Sequence, residues 1–253
     1  MPVAALPMYD WPDVRAATDA LWRTIAERLG AGGIAAPERL SRQEPAEALW
    51  RDPELVLAQT CGLPYVTRLR GTVRLVATPC YDVEGCAAGD YSSVFLARAG
   101  DPATAVAEFA GRRAAVNATD SQSGYAALGA MIAAHGPLAT FFAARVETGG
   151  HRASMEAVRD GHADCCAVDA VCWALARRYR PELARALKPI AWSEPMPGLP
   201  LITAAARSDE EVAALRRALS EALADQASAK ACAALFLIGI AILPESAYDR
   251  LLA

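Results

Sequence analysis

The feature that most constrains this chain is its alternation of short apolar, β-branched runs with stretches of helical periodicity. Strand-like runs fall at residues 3–8, 55–59, 73–77, 92–98, 114–117, 143–147, 163–168 and 201–206. Helical patterns cover 12–29, with Asp13 in the first turn, and 103–110, 124–134, 152–160, 170–179 and 209–225. Such alternation predicts an α/β fold with mostly parallel sheet, whose ligand sites gather at the strand carboxyl ends.

With 253 residues, 54% of them hydrophobic, the chain can bury one large core or two modest ones. Two linkers divide it. Residues 82–90 are rich in Gly and Cys, and residues 192–200 carry Pro195, Pro197 and Pro200. Two crossings predict a discontinuous lobe of residues 1–85 plus 196–253 and a second lobe of residues 86–195. The formal charge is -4, and Arg is interleaved with Asp and Glu rather than gathered in a basic stripe, which excludes nucleic acid as a partner. The uncharged run 231–243 is too short to span a bilayer and reads as a buried helix followed by a strand or turn, so no membrane span is expected. Seven cysteines, two of them adjacent at Cys165 and Cys166, read as reduced and buried thiols. Together with an amino terminus lacking a secretory pattern, they predict a cytoplasmic chain as given, or a periplasmic one if a signal has been removed. Cys165 and Cys166 would face opposite sides of a strand, so with Cys172 they do not make a metal site, and no cofactor is expected.

The stretch Asn117 to Ile132 runs from a strand end into a helix whose residues 124–134 include no carboxylate. Asp120, Ser121 and Ser123 can each cap it, yet no Glu or Gln follows either serine at capping-box spacing. The helix starting at Asp209-Glu210-Glu211 is, by contrast, heavily acidic. Free amides, hydroxyls and a glycine at a helix start are what an external phosphate-like or carboxylate anion requires.

Ser121-Gln122-Ser123-Gly124-Tyr125, Gly149-Gly150-His151 with Ser154 to Val158, Gly161 to Asp164 and Ala167 to Val171 resemble, in order and spacing, the phosphate/phosphite/phosphonate-type ABC-transporter substrate-binding proteins. The resemblance is strongest over residues 61–173 and extends faintly to Leu6 to Tyr9 and Gly62 to Tyr65. It implies a type 2 periplasmic-binding-protein fold, two α/β lobes closing by a hinge on a ligand cleft, and an ABC permease as partner. It further implies that Ser121, Ser123 and Gly124, with Tyr125 following, hold a phosphonate, phosphate or carboxylate group. Tyr9, Gln59 and Tyr65 match the positions that close the pocket from the first lobe, His151 matches a ligand-contact position, and Asp169 suits an amine or hydroxyl on the same ligand.

The sequence has no nucleophile elbow, P-loop, zinc-protease motif or dinucleotide fingerprint, so no reaction class announces itself and no catalytic residue is assigned. The alternative is a cytoplasmic enzyme on the same fold, of the cofactor- or menaquinone-biosynthesis type, with His151 or Asp169 as base. His135 and His162 read as a helix-end and a turn residue, and the five tryptophans as core or interface anchors.

Overall fold

The computed structural model describes residues 1–252. It separates into two compact units. The first comprises Met1–Asp82, Ala87–Asp90 and the chain from Pro197 onward; the second comprises Val83–Cys86 and Tyr91–Met196.

In the first unit β1 (Val3–Ala5) leads to α1 (Arg15–Ala31), and the chain returns as β2 (Leu55–Gln59) and β3 (Val73–Tyr81). The second unit is built from β4 (Ser93–Arg98), β5 (Arg113–Val116), a wide helical turn Gln122–Ala126 continuing as α2 (Ala127–Ile132), β6 (Ala144–Glu147), α3 (His151–Arg159), β7 (Cys165–Asp169), α4 (Ala170–Tyr179) and β8 (Leu187–Trp192). The chain then completes the first unit with β9 (Leu201–Ala204), α5 (Asp209–Ala224), α6 (Ala229–Ala234) and β10 (Leu237–Ala241).

Each unit holds a five-stranded sheet, β1-β2-β9-β3-β10 in the first and β8-β4-β7-β5-β6 in the second. The sheets are mixed rather than mostly parallel. In the second, β7, β5 and β6 run parallel while β4 pairs antiparallel with both β7 and β8; in the first, β9 is antiparallel to both β2 and β3. Parallel pairing needs a crossover between neighbouring strands. Such a connection exists at β5-to-β6 and through α3 into β7, but β9 arrives from the other unit and can enter in either sense.

Other local expectations also shift. The first helix begins at Arg15, with no acid in its first turn, so Asp13 lies outside it. Residues 103–110 form only a short turn at Val106–Phe109, because Glu108 turns back to accept from the Thr104 and Ala105 amides. The run 231–243 does give helix then strand, but β10 is an edge strand, and Ile238 and Ile242 are exposed rather than buried.

One face of the second sheet carries a core of Phe95, Phe109, Val116, Leu128, Ile132, Phe141 and Cys165, with Tyr125 packed against it. This core fixes the helical segment after β5 and therefore the position of its first turn. At the opposite end of the strands, Asp164 accepts from the Arg113 amide at 2.9 Å and from the guanidinium groups of Arg113 and Arg98. Burial pushes this carboxyl up, but the two arginines and the amide outweigh it and hold the group down at about 2. A lowered folded-state value means stabilisation that is present above the unfolded value and lost as pH falls through about 2. Asp164→Asn is expected to lower stability at neutral pH by roughly 1–2 kcal/mol, a range discounted for partial exposure. In urea titrations the deficit should shrink as pH falls below the unfolded value of about 4; a deficit independent of pH would show that the charge does not hold β5 to β7.

Candidate anion site at the strand ends

The carboxyl ends of β5, β6 and β7 lie side by side in the second sheet, and each feeds a helical segment: Gln122 to Ile132, α3 and α4. None of the three carries an acidic residue in its first turn. First-turn amides have no acceptor within their own helix, so the helix starts after β5 and β6 present N–H donors and positive ends, whereas the third is capped by the Asp169 carboxylate.

Ser121 is the cap of its helical segment, its Oγ accepting from the Gly124 amide at 3.0 Å. The capping reading of the sequence is therefore correct for Ser121, and its hydroxyl proton remains a donor. Ser123 Oγ hydrogen-bonds His151 Nε2 at 2.7 Å. His151 stands at the start of α3, whose cap is Gly150 with no side-chain acceptor. Burial depresses the imidazole to about 4, so it is neutral at physiological pH, and its Nδ1 is covered without a hydrogen-bond partner. Gly124 lies at the centre: a Cβ built there would sit 1.9 Å from Asn117 Oδ1 and 3.2 Å from His151 Cε1.

The backbone fixes this arrangement. Gly149 donates to the Asn117 carbonyl at 2.9 Å and Thr148 to the Val116 carbonyl at 2.9 Å, tying the turn before His151 to the end of β5. Thr148 Oγ1 also hydrogen-bonds Ser154 Oγ at 2.7 Å, locking that turn onto α3. Ser121, Ser123, Gly124 and His151 are thus brought together. Tyr125, next in sequence, turns to the core. Asp169 is 1% exposed and caps α4, with its Oδ1 accepting from Val171 at 2.7 Å and Cys172 at 3.4 Å.

The remaining sequence candidates belong to the first unit. Gln59 ends β2 and donates through Nε2 to Tyr81 Oη at 3.3 Å, and Tyr9 meets the Tyr81 ring edge-on at 5.2 Å. Tyr65 is apart from them, fully buried and edge-on to Tyr248 at 5.1 Å. Sequence reasoning passed over Asn117 and Tyr81. Each is a polar side chain at the carboxyl end of a strand, which is the signal that could have marked them.

No group of three His, Cys, Asp or Glu side chains capable of holding a metal ion occurs among the described residues. None of the seven cysteines is in a disulfide, and burial raises the thiol values of Cys165, Cys166 and Cys172, leaving them protonated and unreactive. No helix among the described residues is long and apolar enough to cross a membrane.

The chain belongs to the family described as ABC transporter, phosphonate, periplasmic substrate-binding protein, whose model matches residues 3–248. Its fold is similar to that of PhnD1 from Prochlorococcus marinus in complex with methylphosphonate, at 13% identity and a TM-score of 0.80, covering 99% of this chain and 94% of that one. A binding-protein component of an ABC phosphonate transporter from Pseudomonas aeruginosa matches at 17% identity and a TM-score of 0.75, covering 95% of this chain and 81% of that one. A Xanthomonas citri protein bound to ATP matches at 18% identity and a TM-score of 0.72, covering 99% and 94% of the two chains. Among curated proteins no sequence match is found.

Proposed function

We propose that this protein binds a small phosphonate- or phosphate-bearing ligand for an ABC importer, and that the second unit holds the anionic group on Ser121, Ser123, His151 and the amides beside Gly124. The observation that carries the reading is the joining of Ser123 to a neutral, covered His151 beside the acid-free helix starts at the ends of β5 and β6. A neutral imidazole can donate to an anion, directly or through the serine hydroxyl, without a counter-charge. Family membership supports the same substrate class, and a periplasmic location with an ABC permease as partner goes with it. Cys165, Cys166 and Cys172 do not oppose that location, since they are sealed in the core as small hydrophobes.

Each serine hydroxyl donating to an anion contributes a charge-assisted hydrogen bond of roughly 1.5–3 kcal/mol. Ser121→Ala with Ser123→Ala is expected to weaken methylphosphonate binding about tenfold or more by calorimetry. Loss of the Ser121 cap should cost the apo protein only about 1 kcal/mol. Undiminished affinity in the double variant would remove the anion from this site.

A further inference from the structure

Asn117 has no assigned part in the anion site as described, yet its side chain reaches the centre of it. Its Oδ1 lies directly against Gly124 Cα, occupying the space a Cβ would need, while His151 Cε1 approaches the same point. The oxygen is covered, and no protein group donates to it. Placing oxygen rather than the amide nitrogen against the glycine is chemically sensible, because a Cα–H is a weak donor and would meet an N–H head-on. One conventional donor to Asn117 Oδ1 is still lacking, and folded proteins rarely leave such an acceptor enclosed without cause.

The surrounding groups are mostly donors: the Ser121 and Ser123 hydroxyls, the first-turn amides and His151. An acceptor among them is out of place for a fully ionised tetrahedral anion, which has only acceptor atoms to offer. It matches an anion that keeps one proton. We infer that Asn117 is a specificity-determining residue that accepts a hydrogen bond from the P–OH of a monoprotonated phosphonate or phosphate, so that the site takes protonated oxyanions and rejects those with no proton to give. The inference rests on the anion site proposed above and adds the protonation state of its ligand. Rejection follows from what an unprotonated anion leaves behind: a buried oxygen lone pair still unpaired and now facing a negatively charged ligand oxygen.

Methylphosphonate and methanesulfonate test this directly at mildly acidic pH, where both are monoanions of the same shape and differ in one hydroxyl proton. Calorimetry on the whole protein should find methylphosphonate bound about a hundredfold or more tighter. In Asn117→Ala the preference should fall below about tenfold, through weaker phosphonate binding together with tighter methanesulfonate binding once the unpaired oxygen is gone. Asn117→Asp retains an acceptor and adds a charge, so it should bind both anions more weakly while keeping the preference. Its thermal melting reports whether position 117 tolerates change, independently of the alanine variant. Methanesulfonate binding within threefold of methylphosphonate, or an unchanged preference in Asn117→Ala, overturns the inference while leaving the anion site standing. Failure of methylphosphonate, methanesulfonate and inorganic phosphate alike to bind overturns the site itself, and the inference with it.

Discussion

Replacing Gly124 by Ala is expected to abolish measurable methylphosphonate binding and to lower the melting temperature in the same variant. The added methyl would lie 1.9 Å from Asn117 Oδ1, 2.8 Å from Asn117 Cγ and 3.2 Å from His151 Cε1. Contacts that short cannot be absorbed by a few tenths of an ångström. Asn117 must leave its place or the turn must shift, and a shift of the turn separates Ser123 from His151. Overpacking of this kind costs roughly 1–3 kcal/mol, which for a chain of this length is a fall of about 2–4 °C per kcal/mol. The loss of affinity should exceed what stability alone implies, because the groups displaced are those proposed to meet the anion. Removing the obstructing side chain supplies the control. Asn117→Ala combined with Gly124→Ala should recover much of the melting temperature, a coupling expected only of residues in contact. Wild-type affinity in the single variant would show that the 121–124 turn does not touch ligand.

How far the sequence reveals this protein depends on whether the controlling interaction is local. The strand over Leu55–Gln59 and the helix over Ala170–Tyr179 were legible to the residue, since apolar pattern and flanking caps agree there. The strand Leu187–Trp192 escaped notice because Lys188 and Pro189 interrupt its pattern; it is an edge strand, where a missing N–H is tolerated. The serine pair was legible as a helix start free of acidic residues, but its division of labour was not. Ser121 spends its oxygen on Gly124 and Ser123 joins a histidine 28 positions away, a pairing that depends on β5 and β6 lying side by side. Asn117 was hidden for the same reason. Its significance lies in the missing partner and in the glycine it faces, neither of which a linear pattern carries.

Tyr65→Ala is expected to be the most destabilising single change among the residues selected from the sequence. The side chain is fully enclosed in the first unit, edge-on to Tyr248 at 5.1 Å with the Arg70 guanidinium 5.8 Å from its ring centre. Tyr248 in turn hydrogen-bonds Thr78 Oγ1 at 2.7 Å and donates to the Gly198 carbonyl at 3.1 Å, so the ring of Tyr65 supports a contact between β3 and the chain leading into β9. Truncating a buried aromatic to alanine costs about 3–5 kcal/mol, a melting decrease on the order of 10 °C for a chain of this length. Tyr65→Phe separates packing from hydroxyl chemistry. Burial, followed by the Glu245 carboxylate, pushes the Tyr65 hydroxyl well above its ordinary value, so it stays a neutral group held among side chains of its own unit. The phenylalanine variant should therefore melt within a few degrees of wild type and bind methylphosphonate with unchanged affinity. A selective loss of affinity in Tyr65→Phe, with melting preserved, would assign the hydroxyl to the ligand and require Tyr65 to leave the core when ligand binds.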